Sequence, residues 1–153
     1  MDSLLKKQFA LDELMPLIRE RLKAGQNVRI YPNGTSMLPM IRQGVDSVVL
    51  SPLPEKLRKF DIPLYQRKSG QYVLHRIVKT GSQYTCIGDN QFNLEFGIEP
   101  DQMIAVVSAF YRGGHLYSVR HPLYRLYYLF WHYSRPGRKC WLGFKALVRR
   151  VLK

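Results

Sequence analysis

A chain of 153 residues, 46% hydrophobic and 12% aromatic, has apolar material for one buried core but too little length for two full domains, and its composition excludes a disordered chain. Its formal net charge of +13 excludes an acidic or neutral surface and calls for an anionic neighbour such as phospholipid or nucleic acid. The charge is unevenly spread, since no Asp or Glu follows Asp101 while Lys and Arg continue from Arg112 to Lys153.

In chain order, Leu4, Leu11, Leu14, Met15, Ile18 and Leu22 recur near helical spacing and Gly25 follows as a stop signal, so residues 1–25 read as an N-terminal amphipathic helix. Pro16 removes one backbone hydrogen bond, so that helix is expected to kink there or to begin only near Asp12. Residues 26–120 change to short β-branched and aromatic runs at 27–31, 45–50, 62–66, 72–79, 84–87, 103–111 and 116–119, which predict the strands of a β-rich domain. Lys68-Ser69-Gly70, Gly81-Ser82 and Gly113-Gly114 separate neighbouring runs closely enough for three hairpins.

Residues 121–153 form a basic, aromatic tail with a break expected at Arg135-Pro136-Gly137. Beyond it Trp141, Phe144, Leu147, Val148, Val151 and Leu152 share one helical face, and Lys145, Arg149, Arg150 and Lys153 another. Trp141, Phe144, Lys145, Arg149 and Arg150 are therefore candidate contacts with an anionic membrane surface. The alternative is that the tail packs on the β domain and its basic face is simply solvated. The predicted fold is thus mainly β, with an N-terminal helix and a C-terminal amphipathic helical tail.

Cys86 and Cys140 lack metal-site or disulfide spacing and read as free thiols. No metal or organic cofactor is expected. Asp2, Asp12 and Glu13 among the first apolar residues argue against a secretory signal, and no apolar run reaches the roughly eighteen residues of a spanning helix. The expectation is a cytoplasmic protein, peripheral at a membrane at most.

The candidate chemistry centres on Asn33-Gly34-Thr35-Ser36-Met37-Leu38-Pro39. Gly34 permits a turn that a side chain would resist and Pro39 stiffens the exit, so Ser36 is held on a constrained loop. Such a loop, with Gly34, Thr35, Met37 and Pro39 as its oxyanion or loop-shaping residues, can aim backbone N–H groups at one point, as an oxyanion hole requires; Pro39, which has no N–H, contributes only shape. A serine nucleophile needs a base, and of His75, His115, His121 and His132 only His75 interrupts a predicted strand, 72–79. Taken singly, each feature reads first as ordinary structure: a turn serine, a solvent-facing strand histidine and, at Asp89, a turn aspartate.

Taken together they resemble the signal peptidase I and LexA-like serine peptidase superfamily. Gly34-Thr35-Ser36-Met37-Leu38-Pro39 is similar to its Ser-Met-x-Pro nucleophile box, Lys59-Phe60-Asp61-Ile62-Pro63-Leu64-Tyr65 to its Gly-Asp-Ile-Val strand, and Val73-Leu74-His75-Arg76-Ile77-Val78 to the strand bearing the base. Ile87-Gly88-Asp89-Asn90 resembles its Gly-Asp-Asn box. Histidine at the base position is similar to the endoplasmic-reticulum and archaeal type. The resemblance implies a serine endopeptidase in which Ser36 attacks a peptide carbonyl, His75 carries the proton and Asp89 orients the imidazole. Three positions depart from the pattern: Gly44-Val45-Asp46 stands where Gly-Asp often follows the nucleophile box, Phe60 replaces a glycine, and Gly34 stands where a hydroxyl often contributes to the oxyanion hole.

Register bears on Asp89 independently. A two-residue loop at Gly81-Ser82 sets His75 opposite Gly88 and leaves Asp89 on the other face, so a triad with Asp89 requires a longer loop or a bulge at Gly88. The expected partner is a peptide or protein substrate, with an anionic membrane as a second candidate; nucleic acid is not expected, and the oligomeric state is left open. The rival reading is a catalytically silent or self-cleaving β domain acting as a membrane- or nucleic-acid-associated regulatory module.

Overall fold

Residues 11–151 are described by a computed structural model, and their strands fall into two antiparallel sheets, so the fold is mainly β as the period-2 runs predict. The chain begins with α1 (Leu11–Lys23), whose Met15, Ile18 and Leu22 are buried. Asp12 and Glu13 lie in its first turn and Arg21 and Lys23 in its last, matching the helix dipole at both ends. Pro16 sits inside this helix; Leu4 and the rest of residues 1–10 lie outside the described residues. Gly25, at φ +74°, ends the element.

The first sheet is built from β1 (Val28–Ile30), β2 (Ser47–Ser51), β3 (Pro63–Gln66), β4 (Tyr72–Leu74), β8 (Met103–Arg112) and β9 (His115–Ser118), in the order β1-β2-β8-β3-β4 with β9 also paired to β8. The second contains β5 (Arg76–Lys79), β6 (Tyr84–Ile87) and β7 (Glu95–Ile98) in sequence order. All three predicted hairpins form, as β3–β4, β5–β6 and β8–β9. In the last, Arg112 pairs with His115 across Gly113 and Gly114, both at positive φ as a two-residue turn demands.

Two features depart from the expected strands. The run 72–79 is not one strand: it leaves the first sheet after Leu74, joins the second at Arg76, and places His75 at the crossing. β7 was not anticipated, because Gly97 and Glu95 dilute its apolar alternation and Gly97 takes φ +71°.

Met37, Met40 and Ile41, from the serine loop, are buried with α1 and the first sheet in one core cluster, while Tyr65, Val73, Ile77 and Cys86 lie in a second cluster that reaches the other sheet. The tail forms α2 (Pro122–Tyr133) and α3 (Arg135–Val151). Their break falls at Ser134 rather than at Arg135-Pro136-Gly137, because a proline in a first helical turn has no N–H to lose and fits there. Tyr124 and Tyr128 of α2 are buried against the β domain, whereas α3 has no buried residue among those described. One face of α2 thus packs on the β domain, and the start of α3 reaches it through Arg135, bonded to the Gly88 carbonyl, and Arg138, over the Phe92 ring, while residues 139–145 of α3 are exposed; Leu152 and Lys153 lie outside the described residues. Among the described residues no helix is long and apolar enough to cross a membrane.

Phe60, which stands where the resemblance has glycine, adopts φ +77°. That conformation costs a residue with a Cβ about 1–3 kcal/mol. Its ring meets Tyr128 in a tilted contact at 5.3 Å and His132 edge-to-face at 5.4 Å, so the strained position docks α2 on the β domain.

Candidate active site

The serine loop is fastened at both ends and in the middle. Asn33 Oδ1 accepts the Gly34 N–H at 3.1 Å and also the Gln43 amide, and Gly34 takes φ +94°. Beyond Ser36, Met37 is 4% exposed and Met40 fully buried, so the loop cannot lift without exposing core; deleting such a side chain costs about 2–5 kcal/mol. Asp46 closes the segment from below, accepting the Arg42 N–H and the guanidinium groups of Arg42 and Arg112. Burial works against the Asp46 carboxylate, but these partners hold its pKa below the ordinary value.

The Gly88-Asp89-Asn90 box braces the same loop. Asn90 N–H donates to Ser36 O at 2.8 Å and its side-chain amide to Thr35 O at 3.3 Å. A Cβ on Gly88 would lie 2.7 Å from Ser36 O, so only glycine permits this approach. The Leu38 N–H is taken by Thr35 O and the Ile41 N–H by Met37 O, while those of Ser36 and Met37 have no acceptor among the described residues. They are the candidate oxyanion donors. Thr35 is exposed at the rim, and Pro39, which shapes the exit of the loop, accepts through its carbonyl from Arg112 at 3.0 Å.

Ser36 and His75 line one cleft of about 310 Å³, together with residues of β4 and the side chains of Arg67, Gln71 and Gln91. Ser36 is half-buried and His75 is 3% exposed. No hydrogen bond joins the two side chains. His75 Nδ1 lies 3.3 Å from the Tyr65 hydroxyl and 3.4 Å from Glu95 Oε2. The Tyr65 hydroxyl donates its proton to Glu95 Oε2 at 2.9 Å, so the tautomer that satisfies the group carries its proton on Nδ1. Nε2 is then left as an acceptor. Burial lowers the His75 pKa, with the Glu95 charge pulling it back upward, so the ring is neutral at neutral pH.

The acid beside the imidazole is therefore Glu95, not Asp89. Asp89 is gripped by Arg76 through a two-pronged pair at 2.8 and 2.7 Å, and Arg76 also donates to the Tyr124 hydroxyl and the Phe60 carbonyl. Register explains the difference. Nearest the turn Lys79 pairs with Thr85, the register of a loop longer than two residues, but the bulge between Ile77 and Lys79 cancels that offset, so that Arg76 pairs with Ile87 and Ile77 with Cys86, and no bulge falls at Gly88. Asp89 consequently shares a side with Arg76 and not with His75. Glu95 comes from the unanticipated β7 and is held by Arg67 at 2.7 Å through each carboxylate oxygen. Burial raises its pKa, but the Arg67 and Tyr65 hydrogen bonds prevail and lower it. The one sequence signal for Glu95 is an acid set between Leu94 and Phe96, downstream of the base.

Of the other expected residues, Trp141, Phe144, Lys145, Arg149 and Arg150 stand exposed on α3, away from the lining of this cleft. Cys86 is a buried free thiol whose pKa burial pushes up to about 12, and Cys140 is free and exposed. Among the described residues no three side chains of metal-ligand type come together. Comparisons with family models, curated proteins and solved structures return no match to this chain.

Proposed function

We propose that the protein is a serine endopeptidase with a signal-peptidase or LexA-like β domain, in which Ser36 is the nucleophile, His75 the general base and Glu95 the group that orients the base. The observation that carries this reading is the meeting of Ser36 and His75 in one cleft, with His75 Nδ1 beside the Tyr65 hydroxyl and Glu95, although the two belong to a loop and a sheet crossing far apart in the chain.

In the reaction, the Ser36 hydroxyl gives its proton to His75 Nε2 as Oγ attacks the peptide carbonyl carbon. The Ser36 and Met37 N–H groups receive the developing oxyanion. Glu95 stabilises the imidazolium across Nδ1, and His75 returns its proton to the leaving amine as the C–N bond breaks. Water, deprotonated by the same imidazole, then releases the acyl group from Ser36 as a carboxylic acid. β4 is the outermost strand of its sheet and lines the cleft, so its free edge suits a substrate bound as an added strand.

The test is cleavage of a diverse peptide library by purified protein, read by mass spectrometry. Ser36→Ala and His75→Ala should each lower turnover by about 10³-fold or more with little change in thermal stability. Activity should rise with pH on a limb lying below the ordinary imidazole value of 6.5, because burial lowers the His75 pKa. Turnover retained by either variant removes the dyad and favours a non-enzymatic binding domain.

A further inference from the structure

The exposed faces of the tail have a chemistry that the cleft does not use. On α2, Leu123, Leu126 and Phe130 are 70%, 64% and 72% exposed, and their spacing puts them in one stripe opposite the buried Tyr124 and Tyr128. On α3, Trp141, Phe144 and Leu147 are 57%, 58% and 60% exposed, again at helical spacing. Two adjoining helices thus present aromatic and branched apolar groups to water, more than scattered surface hydrophobics require.

Charge identifies what covers this surface. α3 carries six Lys or Arg side chains and no acid, and its first turn holds Arg135, where the helix dipole adds to the positive charge instead of offsetting it. Among the described residues the Nε atoms of Arg135 and Arg138 are buried without a partner. No acid follows Asp101, so the last third of the chain supplies no compensating anion of its own. A second copy of the chain would set one cationic helix against another, and a nucleic acid would leave the leucine and phenylalanine stripe wet. An anionic bilayer meets both demands, taking the apolar groups at interfacial depth while its headgroups meet the cations.

We propose that α2 and α3 together form a platform that docks the protein flat on an anionic phospholipid surface. The platform is tied to the serine loop: Trp131 Nε1 donates to Asp89 O at 2.9 Å and Arg135 Nη2 to Gly88 O at 3.4 Å, and Gly88 and Asn90 cradle Ser36. Docking therefore sets the position of the cleft relative to the bilayer. The proposal does not depend on catalysis.

Vesicle co-sedimentation of the full chain carrying Ser36→Ala tests it, with phosphatidylcholine vesicles alone or mixed with phosphatidylglycerol. Partitioning should be at least about tenfold stronger on the anionic vesicles, fall as salt is raised, and move the Trp141 emission to the blue. Phe130→Ser with Phe144→Ser should lose about tenfold, and Lys145→Glu with Arg149→Glu should abolish the preference for anionic lipid; all four sites are exposed, so folding is unaffected. Equal partitioning on both vesicles, no binding, or a lipid-independent dimer that shields Trp141 would overturn it.

Discussion

Two arginine–carboxylate pairs flank His75, and they are alike in chemistry but not in setting. The Arg76–Asp89 side chains are 1% and 4% exposed, whereas those of Arg67–Glu95 are 33% and 21% exposed. The enclosed pair bonds onward to Tyr124 and Phe60 and lies under the Arg76 contact with the Tyr128 ring, so it knits the second sheet to α2. The partly solvated pair leaves one carboxylate oxygen facing the imidazole. The same fork thus serves two ends: fully desolvated, it stabilises only while unbroken and holds shape; at the cleft edge, it can respond to a charge appearing on a neighbour.

The largest effect that separates the two pairs is on stability. Asp89→Ala leaves the Arg76 guanidinium buried without its counter-charge and should cost about 3–5 kcal/mol in urea unfolding, whereas Glu95→Gln, at a partly exposed pair, should change stability by less than about 1 kcal/mol. The rate should respond in the opposite order. Glu95→Gln should lower turnover on the order of 10²-fold and shift the acid limb of the pH profile further down, since it removes a charge that raises the His75 pKa. If Asp89→Asn stays folded and loses as much activity with the same shift, the two roles are exchanged.

Gly88→Ala sharpens the comparison without touching either pair. Its Cβ would meet Ser36 O at 2.7 Å and Gln91 Oε1 at 2.9 Å, so the serine loop must move. A cost of about 1–3 kcal/mol is expected, with turnover reduced beyond what that stability loss explains. Unchanged turnover would mean the loop position is not set by this contact.

The smallest effect is on the pH dependence of folding. His75 and His132 both have folded pKa values below the ordinary 6.5, His132 pushed down to about 4 by burial and then by Arg135 and Lys59. The unfolded chain therefore binds more protons below 6.5, and the stability these neutral rings contribute is complete above that value and declines as pH falls toward 4. Urea midpoints at pH 7 and pH 5 measure the difference, and His132→Gln should reduce it. A midpoint that rises on acidification would contradict both assignments.

Local pattern was enough for much of this. The helix around Met15, Ile18 and Leu22, the three hairpins and the constrained loop of Ser36 follow from periodicity and turn chemistry, because each depends on residues close in sequence. The side taken by Asp89 was not legible there: the sequence left the loop at Gly81-Ser82 open, and its actual offset is cancelled by a bulge between Ile77 and Lys79. Phe60 was legible only as a replaced glycine; its positive φ and its ring contacts with α2 depend on how the tail packs.

The acid at the imidazole was decided by tertiary structure alone. Whether 72–79 is one strand or two depends on which neighbours β4 and β5 find, and those partners, β3 and β6, lie on opposite sides of it in the chain. The split turns His75 into a corner residue, and pairing of β7 with β6 brings Glu95 to it from a segment with weak strand character. Sequence by itself put forward Ser36 and His75 as candidates for acyl-transfer chemistry and marked the tail that carries unbalanced charge. Only long-range pairing and burial could select among the carboxylates, because a carboxylate's role is set by the groups that reach it and by the water it has lost.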